Sequence, residues 1–337
     1  MIKTLIIDDS ALAREIIRDF FKGDDSFEII GEAADGEEGI KKILSLNPDL
    51  VTLDLEMPKK NGLEVIEAVM EKIYVPIVVI TNNDTVKTAY DASLKGALEF
   101  YSKDIFSLQF NPLKRQEIYE TLKRISGVKS QKSLTGIKSI SFSHPEKRTI
   151  NAIVIASSTG GPKALSNFFS LLPEKFPVPI IIVQHNSSGF DISFAQWLNT
   201  FTGLKVKVAG EGEPLSSGIV YISQTDKHLE LTGQGQNLFL RYNDDEPENN
   251  QKPSADVLFR TAAQSLKDSV ISIVLTGMGA DGADGTKKIK EQGGITIAQD
   301  EESSIVYGMP KAAFDTGCVD IVLPLDRIPE MLVELTK

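Results

Sequence analysis

Short apolar runs rich in β-branched residues recur along this chain, each ending in a small or polar residue from which a helical stretch begins. Few folds accept that pattern. In the first 125 residues the strand-like runs fall near 2–8, 27–33, 49–54, 76–81 and 97–101, with helical patterns between them. A helical crossover returns the chain to the same edge of a sheet, so alternation of this kind implies parallel strands covered on both faces. Ile153–Ala156, Val178–His185 and Val270–Thr276 repeat the signal later in the chain, as runs of strands buried on both sides. The class is α/β, and such sheets bind ligands at the carboxyl ends of their strands. The residues that end each run therefore carry the chemistry.

In the first domain, Asp8 and Asp9 end the first run, Asp54 the third and Thr81 the fourth, and Lys103 follows the fifth. Three carboxylates brought together repel one another unless a hard divalent cation sits among them, and an oxygen-only, water-retaining site suits Mg²⁺. Lys103 is placed to pair with an incoming phosphoryl group, and the Thr81 hydroxyl to bond to it.

In the second domain, Ile153–Ala156 is followed by Ser157-Ser158-Thr159-Gly160-Gly161-Pro162, which reads as strand, tight turn and helix with Pro162 in the first helical turn. Ala156-x-Ser158-x-Gly160 is one methyl group away from the G-x-S-x-G nucleophile elbow, and the N–H groups that open the helix suit a developing oxyanion. The second buried run ends in His185, and the third is followed by Gly277-Met278-Gly279-Ala280-Asp281-Gly282. Parallel packing puts Ser158, His185 and Asp281 on one edge, as nucleophile, base and orienting carboxylate. The last segment also matches G-x-G-x-x-G, but Asp281 and Asp284 would repel a pyrophosphate there, so a dinucleotide site is rejected.

Two resemblances follow from these residues. Asp8-Asp9-Ser10, Asp54 with Glu56-Met57-Pro58, Gly62-Leu63, Thr81 and Lys103 resemble a response-regulator receiver domain over residues 1–125. The resemblance implies a flavodoxin-like fold and phosphorylation of Asp54 by a chemotaxis histidine kinase. It also implies Mg²⁺ on Asp8, Asp9 and Asp54, and a phosphoryl group sensed by Thr81, Lys103 and the switch aromatic Phe100. Asp104 stands where the family usually has proline, so a trans peptide is expected after Lys103. Residues 149–337 resemble the catalytic domain of the chemotaxis protein-glutamate methylesterases, a doubly wound parallel-sheet fold. The carrying motifs are Ser158-Thr159-Gly160-Gly161-Pro162, Val183-Gln184-His185, Pro253-Ser254-Ala255-Asp256, Leu275–Ala283 and Gly308-Met309-Pro310.

That resemblance implies Ser158, His185 and Asp281 as catalytic residues with Thr159 and Met278 beside them, and no cofactor in the esterase domain. It implies hydrolysis of glutamate methyl esters on methyl-accepting chemoreceptors with release of methanol, and deamidation of receptor glutamines. Ala156 and Ser157 replace the usual Gly and Ala, Gln251-Lys252 the usual His-Arg, and Ser223-Gln224-Thr225 an Ala-Pro-Gly stretch; the Gln changes bear on substrate contacts. His228 has no triad role and reads as structural. The alternative is a phosphorylation-controlled scaffold that binds receptor or kinase without turnover.

A formal net charge of −11 argues against nucleic-acid binding. One cysteine among 337 residues, no signal peptide and no apolar run long enough to span a bilayer place the expected protein in the cytoplasm. Residues 126–148, rich in Lys, Ser and Gly without apolar periodicity, read as a flexible linker.

Overall fold

The computed structural model describes residues 1–82, 86–106, 112–128, 149–235 and 237–337. The chain divides into two compact units, Met1–Lys132 and Ser133–Lys337. Most of the linker expected at 126–148 lies outside the described residues, which resume at 149. No helix among the described residues is long and apolar enough to cross a membrane.

The first unit has strands β1 (Ile2–Ile7), β2 (Phe27–Ala33), β3 (Leu50–Leu53), β4 (Ile77–Thr81) and β5 (Glu99–Ser102), alternating with helices α1 (Ala11–Phe21), α2 (Gly36–Leu46), α3 (Gly62–Met70), α4 (Val86–Lys95) and α5 (Pro112–Ser126). All pairings are parallel, in the order β2-β1-β3-β4-β5. That is the flavodoxin-like order. Side chains open the helices sharply after the strand ends: Ser10, Asp35 and Asn61 each accept an N–H of the first turn, and Asn61 and Glu64 form a reciprocal capping box. Because Ile7 is level with Leu53, Asp8 and Asp54 emerge side by side.

The second unit holds β6 (Ala152–Ser157), β7 (Ile180–Gln184), β8 (Lys205–Val208), β9 (Glu213–Pro214), β10 (Ile219–Ile222), β11 (His228–Gln234), β12 (Asn237–Asn243), β13 (Val270–Val274), β14 (Ile295–Gln299) and β15 (Ile321–Leu323). Its helices are α6 (Gly161–Ser170), α7 (Asp191–Leu198), α8 (Ala255–Leu266), α9 (Ala283–Glu291), α10 (Met309–Asp315) and α11 (Ile328–Leu335). Seven strands form a parallel sheet in the order β15-β14-β13-β6-β7-β10-β8, and β11-β12-β9 form a small antiparallel one. From β6 the chain winds outward through β7 to β8 and β10, then returns on the other side through β13, β14 and β15. The strand order reverses at β6, and sheets of this kind bind ligands beyond the strand ends at such a point.

Alternation along β6 builds both layers. Ala152, Val154 and Ala156 join a core with Leu258 and Phe259 of α8, Ile289 of α9 and Leu229 to Leu240 of the small sheet. Ile153 and Ile155 point to the other face and are equally buried. Ala156 fits where the family commonly has glycine because its methyl lies against Gly282, at which a side-chain carbon would come within 3.3 Å of it. Trp197 of α7 packs on Phe194 and Phe201.

Candidate active site

β6 ends at Ser157 and the chain turns at once into α6, with Gly160 at φ 75° just before the helix. Glycine is required there: the left-handed conformation disfavours a side chain, and one would meet Ile305 at 2.8 Å. Ser158, half-buried on that turn, is pinned through its backbone. Its N–H donates to Thr276 O (3.1 Å), and its carbonyl accepts from Gly161 N–H (2.7 Å) and Gln184 Nε2 (3.1 Å). Ser157 pairs with Gln184 in the β6–β7 ladder, so Ser158 and His185 are neighbours one position beyond the last rung.

Asp281 lies between β13 and α9 and is 1% exposed. Its Oδ2 sits 2.9 Å from His185 Nε2 and accepts Ala255 N–H at 2.7 Å, while Oδ1 accepts Ser254 Oγ (2.7 Å) and Asp256 N–H (3.1 Å). Three of these donors are the N-terminus of α8, where the helix dipole favours an anion. Burial by itself opposes ionisation of Asp281, but the bond to His185, its charge, the Ser254 hydroxyl and the Ala255 N–H outweigh it and hold the carboxyl below its ordinary value.

Asp256 completes an exchange of caps. Asp281 precedes α9 and caps α8; Asp256, in the first turn of α8, caps α9 by accepting Gly285 N–H at 2.6 Å. Its other oxygen accepts Asn249 Nδ2 at 2.6 Å. Burial, and then the charge of Asp281, push the Asp256 pKa up to about 7. The α9 N-terminus, where the G-x-G-x-x-G match would need a pyrophosphate, is thus filled by a carboxylate from the chain itself.

Fully buried His228 accepts Ser254 N–H on Nδ1 (3.1 Å) and donates from Nε2 to Glu246 O (3.0 Å), a neutral tautomer that positions the start of α8. Thr159 is buried and its carbonyl accepts Thr276 Oγ1 at 3.1 Å. Met278 is half-buried in a loop whose Gly277 carbonyl accepts Gly308 N–H (3.1 Å) and Met309 N–H (2.9 Å). Of the departures from the family pattern, Gln224 donates its N–H to Tyr242 Oη (3.1 Å), and Gln251 closes a turn with Glu248.

The structure therefore brings Ser158, His185 and Asp281 to one strand edge. The His185–Asp281 contact is formed. The Ser158–His185 hydrogen bond is not: His185 Nδ1 is buried without a partner. Three residues at this centre had no role assigned from the sequence. Ser254 was open to discovery as an N-cap residue ahead of an apolar run. Gln184 and Asp256 were not, since their partners lie on other elements.

In the first unit, Lys103 Nζ lies 2.7 Å from Asp54 Oδ2 and 2.8 Å from Asp8 Oδ2, and the contact to Asp8 lacks hydrogen-bond geometry. Burial pushes the Asp54 carboxyl up, with the Asp8 charge adding to it, against the pull of Lys103; burial lowers Lys103, but its two carboxylate partners raise it overall. Ligand oxygens of Asp8, Asp9 and Asp54 all lie within 4.8 Å of one another, and Asp8 Oδ2 is buried without a hydrogen bond. A hard divalent cation fits both observations. Thr81 ends β4 and is buried, and Phe100 points inward onto Tyr90, with ring centroids 4.8 Å apart. The cis peptide among the described residues is Lys252–Pro253; Lys103–Asp104 is trans.

Comparison with known proteins gives the family of each unit. Residues 153–332 match the CheB methylesterase family and residues 4–110 the response regulator receiver domain. A protein-glutamate methylesterase/protein-glutamine glutaminase of Pyrococcus abyssi is 38% identical, with 100% of this chain and 94% of that protein aligned. One of the same name from Thermotoga maritima is 36% identical over 99% of this chain and 98% of that one. The crystal structure of the Thermotoga maritima CheB methylesterase catalytic domain is similar at a TM-score of 0.54 and 42% identity, covering 56% of this chain and all of that one. With a receiver domain in its first unit and the methylesterase domain in its second, the chain belongs to the CheB methylesterase family.

Proposed function

We propose that this protein hydrolyses glutamate methyl esters on the cytoplasmic helices of chemoreceptors and deamidates glutamines there, under control of phosphorylation at Asp54. The observation that carries the reading is the 2.9 Å pair of His185 Nε2 with a buried, four-times hydrogen-bonded Asp281, set on the strand neighbouring Ser158. A binding surface has no need of a desolvated carboxylate aimed at an imidazole. With Nε2 engaged, Nδ1 is the nitrogen left to take a proton.

Ser158 Oγ attacks the ester carbonyl and its proton passes to His185, while Asp281 stabilises the imidazolium that forms. Collapse of the tetrahedral intermediate expels the alkoxide, which takes the proton and leaves as methanol. Water then attacks the acyl-serine, giving up a proton to His185, and the serine and a glutamate carboxylate are released. A glutamine substrate differs only in that ammonia leaves.

In the receiver, residues 1–125, the oxygens of Asp8, Asp9 and Asp54 would hold Mg²⁺, which when bound neutralises charge on the transferring phosphoryl group. Asp54 is the acceptor, Lys103 pairs with the arriving group, and Thr81 and Phe100 respond to it. The phosphodonor is a histidine kinase, the setting is the cytoplasm, and residues 126–148 tether the receiver to the catalytic domain, residues 149–337. The test is methanol release from methylated receptor membranes. Ser158→Ala is expected to lower turnover by about 10⁴-fold or more while leaving Asp54 phosphorylation intact; substantial residual turnover would remove Ser158 as the nucleophile.

A further inference from the structure

The β6–β7 ladder ends on the pair Ser157 and Gln184, yet the two residues the chemistry needs side by side lie one position further on. Strands leaving a ladder lose their backbone donors, and their carbonyls need others. Here a side chain supplies them. Gln184, 2% exposed, donates from Nε2 to Ser158 O at 3.1 Å and to His185 O at 2.9 Å, and its Oε1 accepts Ser157 Oγ at 2.7 Å. Both donor hydrogens and the acceptor are in use, which fixes the direction in which the amide faces. The clamp has a steric condition as well: a side-chain carbon at Gly161 would lie 2.0 Å from Gln184 Oε1. Ser157 stands where the family commonly has alanine, so the hydroxyl that locks the amide is a feature of this chain.

We propose that Gln184 is a positioning residue, a side-chain rung that sets the spacing of Ser158 and His185, with Ser157 locking its amide. The proposal rests on reading these two as nucleophile and base. Reacting atoms must approach within about 3–3.5 Å, and a misplacement of about 1 Å costs on the order of 10²-fold in rate. Asp281 orients the His185 ring, but no hydrogen bond ties that ring to Ser158, so the spacing between the two residues falls to their backbones, and Gln184 holds the carbonyls of both. Its effect belongs to the chemical step and not to substrate affinity.

The test uses the full-length protein and labelling of Ser158 by an alkyl fluorophosphonate, alongside methanol release. In labelling, the serine oxygen bonds to phosphorus, fluoride leaves and the serine proton passes to His185. Labelling of the wild type but not of Ser158→Ala establishes the underlying reading; its failure, with no methanol released, defeats that reading and not the clamp alone. Gln184→Glu keeps the size but turns a donor pair into acceptors facing two carbonyls. It is expected to slow labelling about 10²-fold and to lower kcat alike, with the half-saturating concentrations unchanged. Ser157→Ala, which leaves Gln184 in place, is expected to slow both about 3- to 10-fold. Labelling of both variants at the wild-type rate overturns the clamp, as does an effect confined to half-saturating concentrations. If Gln184→Glu does not fold, Ser157→Ala decides, and wild-type rates in that variant overturn the proposal.

Discussion

Asp256 and Asp281 are equally buried carboxylates at the mouths of two helices, and their protonation is driven in opposite directions. The difference lies in their partners. Asp281 faces an imidazole and three donors of α8, and Asp256 faces one amide, one backbone N–H and the Asp281 charge. For Asp256 the folded pKa of about 7 lies above the ordinary carboxylate value of 3.8, so between those values the folded protein holds a proton that the unfolded chain has released. Stability from this group is full below about pH 4, falls as pH rises toward 7 and is flat beyond, for a total on the order of 2–4 kcal/mol. Asp256→Asn, with the Asn249 amide turned to suit it, is expected to flatten that slope. Trp197, the single tryptophan, reports on the second unit, so urea midpoints followed by its fluorescence at pH 5 and pH 8 measure the effect. Equal slopes in the two proteins would show that Asp256 ionises freely.

At the scale of elements, function sits on strand ends because register places them. Ile7 level with Leu53 brings out Asp8 beside Asp54, as Ser157 level with Gln184 brings out Ser158 beside His185. Among the described residues, Lys103 is the cation that pairs with the carboxylates of Asp8 and Asp54 beyond β1 and β3, and one ammonium against the three carboxylates grouped there leaves negative charge for a divalent ion. Phosphorylation of Asp54 by a small-molecule phosphodonor is expected to fall by about 10²-fold or more in excess chelator and to return with added Mg²⁺. Labelling undiminished by the chelator would remove the metal from the reading.

For the whole molecule, a receiver tethered to an esterase serves either to cover the catalytic cleft or to deliver the enzyme to its partner. On the proposed reading, about two negative charges added at Asp54 would draw Thr81 and Lys103 toward them and repack the face near Phe100, biasing a two-state equilibrium. Covering predicts that deletion of residues 1–140 raises basal methanol release, and that Asp54→Asn leaves the full-length enzyme low and unresponsive to phosphodonor. Methylated receptor membranes provide the comparison. A truncated enzyme no faster than the unphosphorylated full-length protein would favour delivery.

What the sequence determined by itself was local: which runs are strands, where helices start after them, and so which side chains stand at strand ends. Those signals arise from steric and hydrophobic patterns within a few residues of one another, which is why Ser158, His185, Asp8, Asp54 and Lys103 were legible before any coordinates. Asp281 was legible too, but only as a member of a glycine-rich turn; that it caps α8, and that Asp256 returns the favour to α9, depends on two helices meeting across the sheet. The neutral His228 behind Ser254 and the Gln184 clamp are of the same kind. Each is a polar group whose partner lies on a different element. The need for burial to be matched by hydrogen bonds is satisfied across the fold, and only the tertiary structure decided which pairs satisfy it.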